Sequence, residues 1–156
     1  MSTNSNETAT MVTIDRVIAA MREHGVELSD DASGRAAHAN LNGFNVLFVL
    51  LDTVLIARAD SETDVANDTP DATYYLSANQ VNSSYLDARA TIVNRGGKHL
   101  IVRTESEVPV AAGLSDAQLS TALKNGVDGI MATQDAMKAL VETISAQRDN
   151  LGQTEG

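Results

Sequence analysis

The sequence predicts an α+β domain in which helices pack on one antiparallel sheet. Two observations lead to this fold class: short runs of β-branched residues are separated by turn residues, and amphipathic helical segments stand at both ends and in the middle of the chain. Strands that are joined by hairpins form an antiparallel sheet. We therefore expect the order α-β-β-β-α-β-β-α, a five-stranded sheet and no internal repeat.

Length and composition fit one domain with an aliphatic core. The chain has 156 residues and is 43% hydrophobic but only 3% aromatic. It carries 21 acidic and 11 basic residues, a net charge of −10, which would be repelled by nucleic acid and by anionic membranes. We expect neither as a partner. Because the chain has no cysteine, disulfides and thiolate metal sites are excluded.

The N-terminal region predicts a polar tail followed by a covering helix. Residues 1–12 offer little to bury, so we expect disorder there, and they lack the basic and hydrophobic parts of a signal peptide, which favours a cytoplasmic protein. Thr13 is placed to cap a helix over residues 14–24, whose apolar residues share one face, and Gly25 suits its end. Residues 26–34 are a polar connection with room for a short edge strand.

Three strands are expected next, over residues 35–41, 44–51 and 54–59. Asn42 and Gly43 suit a two-residue type I′ turn between the first two strands. In the second strand both the odd-numbered and the even-numbered residues are largely apolar, so both faces of the sheet need to be covered. A face that the monomer leaves uncovered would have to contact another chain. The residues that we assign to this candidate interaction face are Phe44, Val46, Phe48 and Leu50.

The second half of the chain predicts a loop, a helix, a hairpin and a long helical region. Residues 60–73 are acidic and read as a surface loop, residues 74–86 as a helix, and residues 89–94 and 99–108 as the hairpin. Ser115 and Gln118 form a capping box for the last helix, in which Gly126 and Gly129 predict a bend or a break. We expect a single domain over residues 13–148 and a frayed tail at 149–156.

Four segments in this half carry a family resemblance. They read LSANQVN at residues 76–82, ARATIV at 88–93, LIVRTE at 100–105 and GLSDAQL at 113–119. In these motifs, and in element order over residues 13–144, the chain resembles the YbjN-type family of bacterial sensory transduction regulators, whose fold resembles the type III secretion chaperones. The resemblance implies that fold and a dimer, and none of its motifs is catalytic.

Asn79 and Asn82 stand out because they lie one helical turn apart. Their side-chain amides could bind backbone groups of the adjoining strands and so position the helix, which is a structural role. Recognition of a ligand is the alternative.

No residue pattern predicts a metal, a cofactor or a catalytic centre. His24, His38 and His99 are too far apart in sequence for a metal motif. The start of the acidic loop resembles the first ligands of a calcium-binding EF-hand, but Val65 and Asp71 replace the required glycine and glutamate, which leaves weak calcium binding as a hypothesis.

Two functions therefore compete. The first is a non-enzymatic protein-interaction module, chaperone-like or regulatory, which acts as a homodimer and holds an unidentified protein client. The second is a small-ligand-binding or signalling domain in which residues 60–73 form a lid over the space between sheet and helices. We expect no enzyme, because no nucleophile and base can be paired from the sequence.

Overall fold

The computed structural model describes residues 8–66, 68, 71–84, 88–94 and 98–154. Within them, three helices pack on one face of a single antiparallel sheet. The elements in chain order are α1 (Ile14–Glu23), β1 (Ser29–Asp30), β2 (Ala36–Leu41), β3 (Phe44–Leu50), β4 (Val54–Ala66), α2 (Thr73–Ser84), β5 (Arg89–Val93), β6 (His99–Pro109) and α3 (Asp116–Thr154).

The predicted α+β class and antiparallel pairing are confirmed, but the sheet has six strands, not five. Its spatial order is β1-β2-β3-β4-β6-β5. The additional strand, β1, has two residues and pairs with β2 at the edge of the sheet. A strand of two exposed residues shows no alternation of polar and apolar side chains, so the sequence pattern could not count it.

Local chemistry sets the turns and helix ends as predicted. Asn42 and Gly43 both have positive φ, 53° and 85°, which is the type I′ geometry. The hydroxyl of Thr13 accepts a hydrogen bond from the backbone N–H of Arg16. The Ser115 hydroxyl accepts from the N–H of Gln118, whose side chain accepts from the N–H of Ser115, so the capping box is complete.

Strand β4 is longer than predicted. It continues to Ala66 and so replaces the first half of the expected loop. Side chains that look like loop residues in the sequence, such as Asp60, are stabilised in the strand by β6, which pairs with β4 along most of its length. Three residues of the predicted loop, 67, 69 and 70, lie outside the described residues.

Helix α3 is one continuous helix of 39 residues, and the predicted bend or break at its glycines is wrong. Gly126 instead lets the helix approach the sheet closely, because a Cβ built at this position would lie 3.0 Å from the hydroxyl oxygen of Ser106. About two turns further on, the buried side chain of Gln134 donates hydrogen bonds of 3.0 Å to the backbone carbonyls of Ala59 and Val102. The helix is therefore fixed to the centre of the sheet.

Both predicted tails are shorter where the structure describes them. Thr10 pairs with Leu114 in an isolated antiparallel bridge, and Val12 is buried in the core. At the other end, α3 extends to Thr154 through most of the expected frayed segment. Residues 1–7, 155 and 156 lie outside the described residues.

The core lies between the helices and one face of the sheet, in two clusters. The larger cluster packs α1 and the first half of α3 against β2, β3 and β4, with Phe48 and Leu55 fully buried. The smaller cluster packs α2 and the second half of α3 against β5 and β6 around Val81 and Met137. No helix in the described part of the chain is both long enough and apolar enough to cross a membrane.

Candidate functional site: the open face of the sheet

No described helix covers the face of the sheet that points away from α1, α2 and α3. We call it the open face. Because side chains alternate along a strand, its residues are every second residue of each strand. They are Ser29 in β1; Ala36, His38 and Asn40 in β2; Asn45, Leu47 and Val49 in β3; Val54, Ile56, Arg58, Asp60 and Glu62 in β4; His99, Ile101, Arg103, Glu105, Glu107 and Pro109 in β6; and Arg89, Thr91 and Val93 in β5.

Two ion pairs occupy the centre of this face. Arg103 of β6 donates two hydrogen bonds of 2.9 Å to the carboxylate of Asp60 in β4. Arg58 of β4 donates one of 3.1 Å to Glu105 of β6. All four side chains lie low on the sheet, with exposed fractions between 18% and 30%. The hydrogen bonds to Asp60, and next the charges of Asp60 and Glu105, raise the pKa of Arg103.

The four charges alternate in both directions of the sheet. Arg58 lies opposite Glu105, and the next open-face pair along the strands is Asp60 opposite Arg103. Each positive charge therefore has a negative neighbour across the strands and another negative neighbour along its own strand. We call this group of four residues the charge square.

The register of β4 and β6 also reveals a short internal repeat, which we did not expect from the sequence. Residues 55–62 read LIARADSE and residues 100–107 read LIVRTESE, so five of eight positions are identical. Ala59 lies opposite Thr104 in the antiparallel pair. A two-fold rotation about the sheet normal at that pair therefore places Arg58 on Arg103 and Asp60 on Glu105.

Apolar side chains flank the charge square. Leu47, Val49 and Ile56 lie on one side, and Ile101 and Val93 lie diagonally opposite, all of them only partly buried. The open face carries three arginines and four carboxylates, so its net charge is −1 when the histidines are neutral. The net charge of the whole chain is −10. The open face is thus nearly neutral and partly apolar.

The residues that we assigned to the interaction face lie on the other side of the sheet. Val46 and Phe48 are 1% and 0% exposed beneath the helices, and Phe44 and Leu50 pack against the same core. A second chain cannot reach Val46 or Phe48 in the folded monomer. The uncovered residues of β3 have the opposite parity, namely Asn45, Leu47 and Val49.

Asn82 has the contacts that the structural prediction requires. Its side-chain amide donates to the carbonyl of Ala90 at 2.8 Å and accepts from the N–H of Ala90 at 2.7 Å. It thereby pairs the backbone of β5 at the edge of the sheet and joins α2 to that edge. Asn79 lies exposed on α2, so the structure does not bring the two amides to one site.

A groove of about 440 Å³ lies between α3 and the far part of β4. Four acidic residues, Glu62, Asp64, Asp135 and Glu142, line the groove together with Lys138. Tyr74 of α2 also lines the groove, and burial, followed by the charges of Asp64 and Asp71, raises the pKa of its hydroxyl.

The histidines remain apart. His24 contacts Ser120 of α3, His38 lies on β2, and His99 lies 3.4 Å from Glu62. Within the residues that the structure describes, no group of three His, Asp or Glu side chains could hold a metal ion. The calcium-loop hypothesis also conflicts with the fold, because Asp60 and Glu62 belong to an extended strand and not to a turning loop.

Comparisons with known proteins agree with the fold. YbjN from E. coli, described as "a putative transcription regulator", has a structure similar to this one, with a TM-score of 0.62, 14% identity, and coverage of 90% of this chain and 97% of that chain. At this identity the likeness shows the fold alone.

Two structures that contain chaperones are more distant. The HopA1-SchA chaperone-effector complex has a TM-score of 0.48 at 11% identity, with coverage of 84% of this chain and 98% of that chain. The Yersinia pestis chaperone SycH, in complex with a YscM2 fragment, has a TM-score of 0.44 at 14% identity, with 76% and 97% covered. No curated protein sequence matches the chain.

The model of one protein family matches the sequence over most of its length. That family is described as "YbjN: Putative bacterial sensory transduction regulator", and the match covers residues 13–139. The matched range extends from the cap of α1 into the second half of α3 and includes every strand. The chain belongs to the YbjN family.

Proposed function

We propose that this protein is a non-enzymatic interaction module, regulatory or chaperone-like, which acts in the cytoplasm as a homodimer and holds a protein client. The open face carries the proposal. In the part of the chain that the structure describes, no helix covers this face of the six-stranded sheet, and the face presents partly exposed Leu47, Val49 and Ile56 beside paired charges. Partly apolar surfaces of this kind mark protein interaction sites.

The family supports a regulatory role and not a catalytic one. Its description as a sensory transduction regulator names no reaction. The four charged side chains at the centre of the open face, Arg58, Asp60, Arg103 and Glu105, neutralise each other in ion pairs.

Sedimentation at a series of concentrations tests the homodimer. Wild-type protein should form dimers at micromolar concentration. Leu47→Thr combined with Val49→Thr should weaken the dimer at least about tenfold, since the interface loses apolar area. Threonine is β-branched and therefore suits a strand at both positions. Leu76→Thr is the matched control because Leu76 is an exposed leucine on α2, 54% accessible, on the helix-covered side of the sheet.

A wild-type chain that stays monomeric at about 100 μM, far above the dissociation constants of typical specific complexes, would refute the homodimer. If Leu76→Thr dissociates the dimer and the β3 variant does not, the dimer exists but the open face is not its interface.

A small-ligand-binding or signalling domain is the second candidate, and the groove between α3 and β4 favours it. Acidic residues outnumber lysine in its lining, which would suit a cationic ligand, and part of the expected lid, residues 61–64, forms one wall as a strand. A monomeric chain whose melting temperature rises with a cationic metabolite would favour this function over the first.

A further inference from the structure

The charge square has a property that a single chain does not need. Its four charges alternate along the strands and across them, so its pattern is complementary to a copy of itself. When two such faces stack, a two-fold axis in the plane of the interface places each arginine of one copy over a carboxylate of the other. This holds for an axis parallel to the strands and for one perpendicular to them.

The sheet order favours the perpendicular axis. The charge square lies between β4 and β6, with four strands on one side of its midline and two on the other. An axis parallel to the strands would leave β1 and β2 beyond the edge of the partner sheet. An axis that crosses the strands at the level of Ala59 and Thr104 places every strand over its own counterpart and therefore buries the full width of both open faces.

The distribution of charge also indicates that a second copy of this chain covers the open face. Two chains of −10 repel each other over most of their surfaces. The open face, at −1, is a surface through which two copies can meet with little repulsion. Its paired side chains are already low on the sheet, so few flexible charged side chains have to be ordered by the contact.

We propose that two copies of this chain stack their open faces about a two-fold axis perpendicular to the strands, with Arg58 of each copy over Asp60 of the other and Arg103 over Glu105. This rests on the homodimer proposed above and specifies its geometry. The charge square sets the orientation of the two sheets. About this axis Leu47 of one copy lies over Asn45 of the other, and Ile56 lies over Glu62, so the apolar residues flank the charge contacts and do not pack on each other.

Two double variants test the geometry while keeping each cross-strand ion pair within the monomer. Arg58→Glu with Glu105→Arg makes the square acidic on β4 and basic on β6, and we call it the acidic-β4 variant. Asp60→Arg with Arg103→Asp does the reverse and is the basic-β4 variant. About the perpendicular axis β4 faces β4, so each variant repels itself, whereas the acidic-β4 variant attracts the basic-β4 variant.

We expect each variant alone to dimerise at least about tenfold more weakly than wild type, and an equimolar mixture to form heterodimers of near wild-type affinity, as measured by sedimentation and by native mass spectrometry. Heterodimers in the mixture also show that both variants are folded. If each variant dimerises alone and the two do not mix, the axis is parallel to the strands and the proposal fails. It also fails if the charge exchanges change nothing, or if the mixture stays monomeric.

Cross-linking of a mild variant gives a second measurement that does not depend on the charge exchanges. The chain has no cysteine, so Asn45→Cys would introduce the only thiol on an exposed site of the open face. In either geometry the stacked sheets are about 10 Å apart; the proposed axis displaces the two copies of this residue by a further two residue rises, about 7 Å along the strand, and the parallel axis by about three strand spacings, or 14 Å sideways. A short bis-maleimide should cross-link this variant and not Thr121→Cys on the exposed side of α3.

Failure of this geometry is separable from failure of the proposed function. If the wild-type protein is a dimer, but the charge exchanges do not weaken it and the bis-maleimide does not cross-link Asn45→Cys, the stacking is wrong and the homodimer has another interface. A wild-type monomer would overturn both.

Discussion

The two faces of the sheet come from the same strands, yet they differ in size, polarity and cover. On the covered face, β4 presents Leu55, Ala57 and Ala59, small or apolar side chains that let α3 lie close. On the open face, the alternate residues include Arg58 and Asp60, which are paired with β6. Apolar burial is therefore concentrated on the covered face, whereas the open face carries paired charges and only partly buried apolar side chains.

Truncation of a core side chain should have the largest effect on the free energy of unfolding, and it tests the difference between the covered face and the open face most directly. Phe48→Ala would leave a cavity where a fully buried ring now packs, and we expect a loss of about 3–5 kcal/mol in the free energy of unfolding. The neighbouring Val49→Ala, on the open face, should cost about 1 kcal/mol or less. Urea denaturation, with samples dilute enough to be monomeric, checks both values, and similar costs for the two variants would break the comparison.

The contact between α2 and β5 should give the next largest effect. Asn82→Ala leaves the N–H and the carbonyl of Ala90 without their side-chain partner, which we expect to cost about 1–3 kcal/mol. Asn79→Ala is the matched control on the same helix, and because Asn79 is exposed its cost should stay within about 0.5 kcal/mol. Equal melting temperatures for the two variants would contradict a structural role for Asn82.

The smallest effect is a dependence of stability on pH at the start of α2. Hydrogen bonds from the hydroxyl and N–H of Thr73, and then the contact with Arg148 of α3, lower the pKa of Asp71 in the folded chain. Its stabilising contribution is therefore complete above the unfolded value of about 3.9 and is lost as the pH falls through the lower folded value.

Asp71→Asn should thus destabilise the protein by less than about 1 kcal/mol at pH 7, because the site is partly exposed, and by progressively less below about pH 4. Denaturation curves of both proteins between pH 7 and pH 2.5 measure this difference. A difference that stays constant over the whole range would show that the charge of Asp71 is not its cause.

Local signals in the sequence predicted those parts of the fold that depend on local chemistry. The type I′ turn at Asn42 and Gly43, the cap at Thr13 and the capping box at Ser115 each depend on residues at most three positions apart. The hairpin strands and the helix before them were also placed close to their observed ends.

Features that depend on distant partners were predicted poorly. The acidic residues of β4 read as a loop because Arg103, which stabilises Asp60, lies 43 residues away. Gly126 looks like a helix breaker in the sequence. A glycine is needed there because Ser106, which belongs to another element, approaches the helix closely. The apolar run in β3 does not say which parity faces the helices, and only its pairing with β4, whose alternation is clear, decides that Leu47 and Val49 are outside.

The position of β4 has a consequence for synthesis of the protein. β4 occupies the middle of the sheet, but its neighbour β6 is translated only after α2 and β5. Until then a nascent chain exposes one long backbone edge of β4 with unpaired N–H and C=O groups, a template on which other chains can aggregate. Because β4 can pair with β6 only after α2 and β5 have been synthesised, folding of the whole sheet should be slow for a chain of this length.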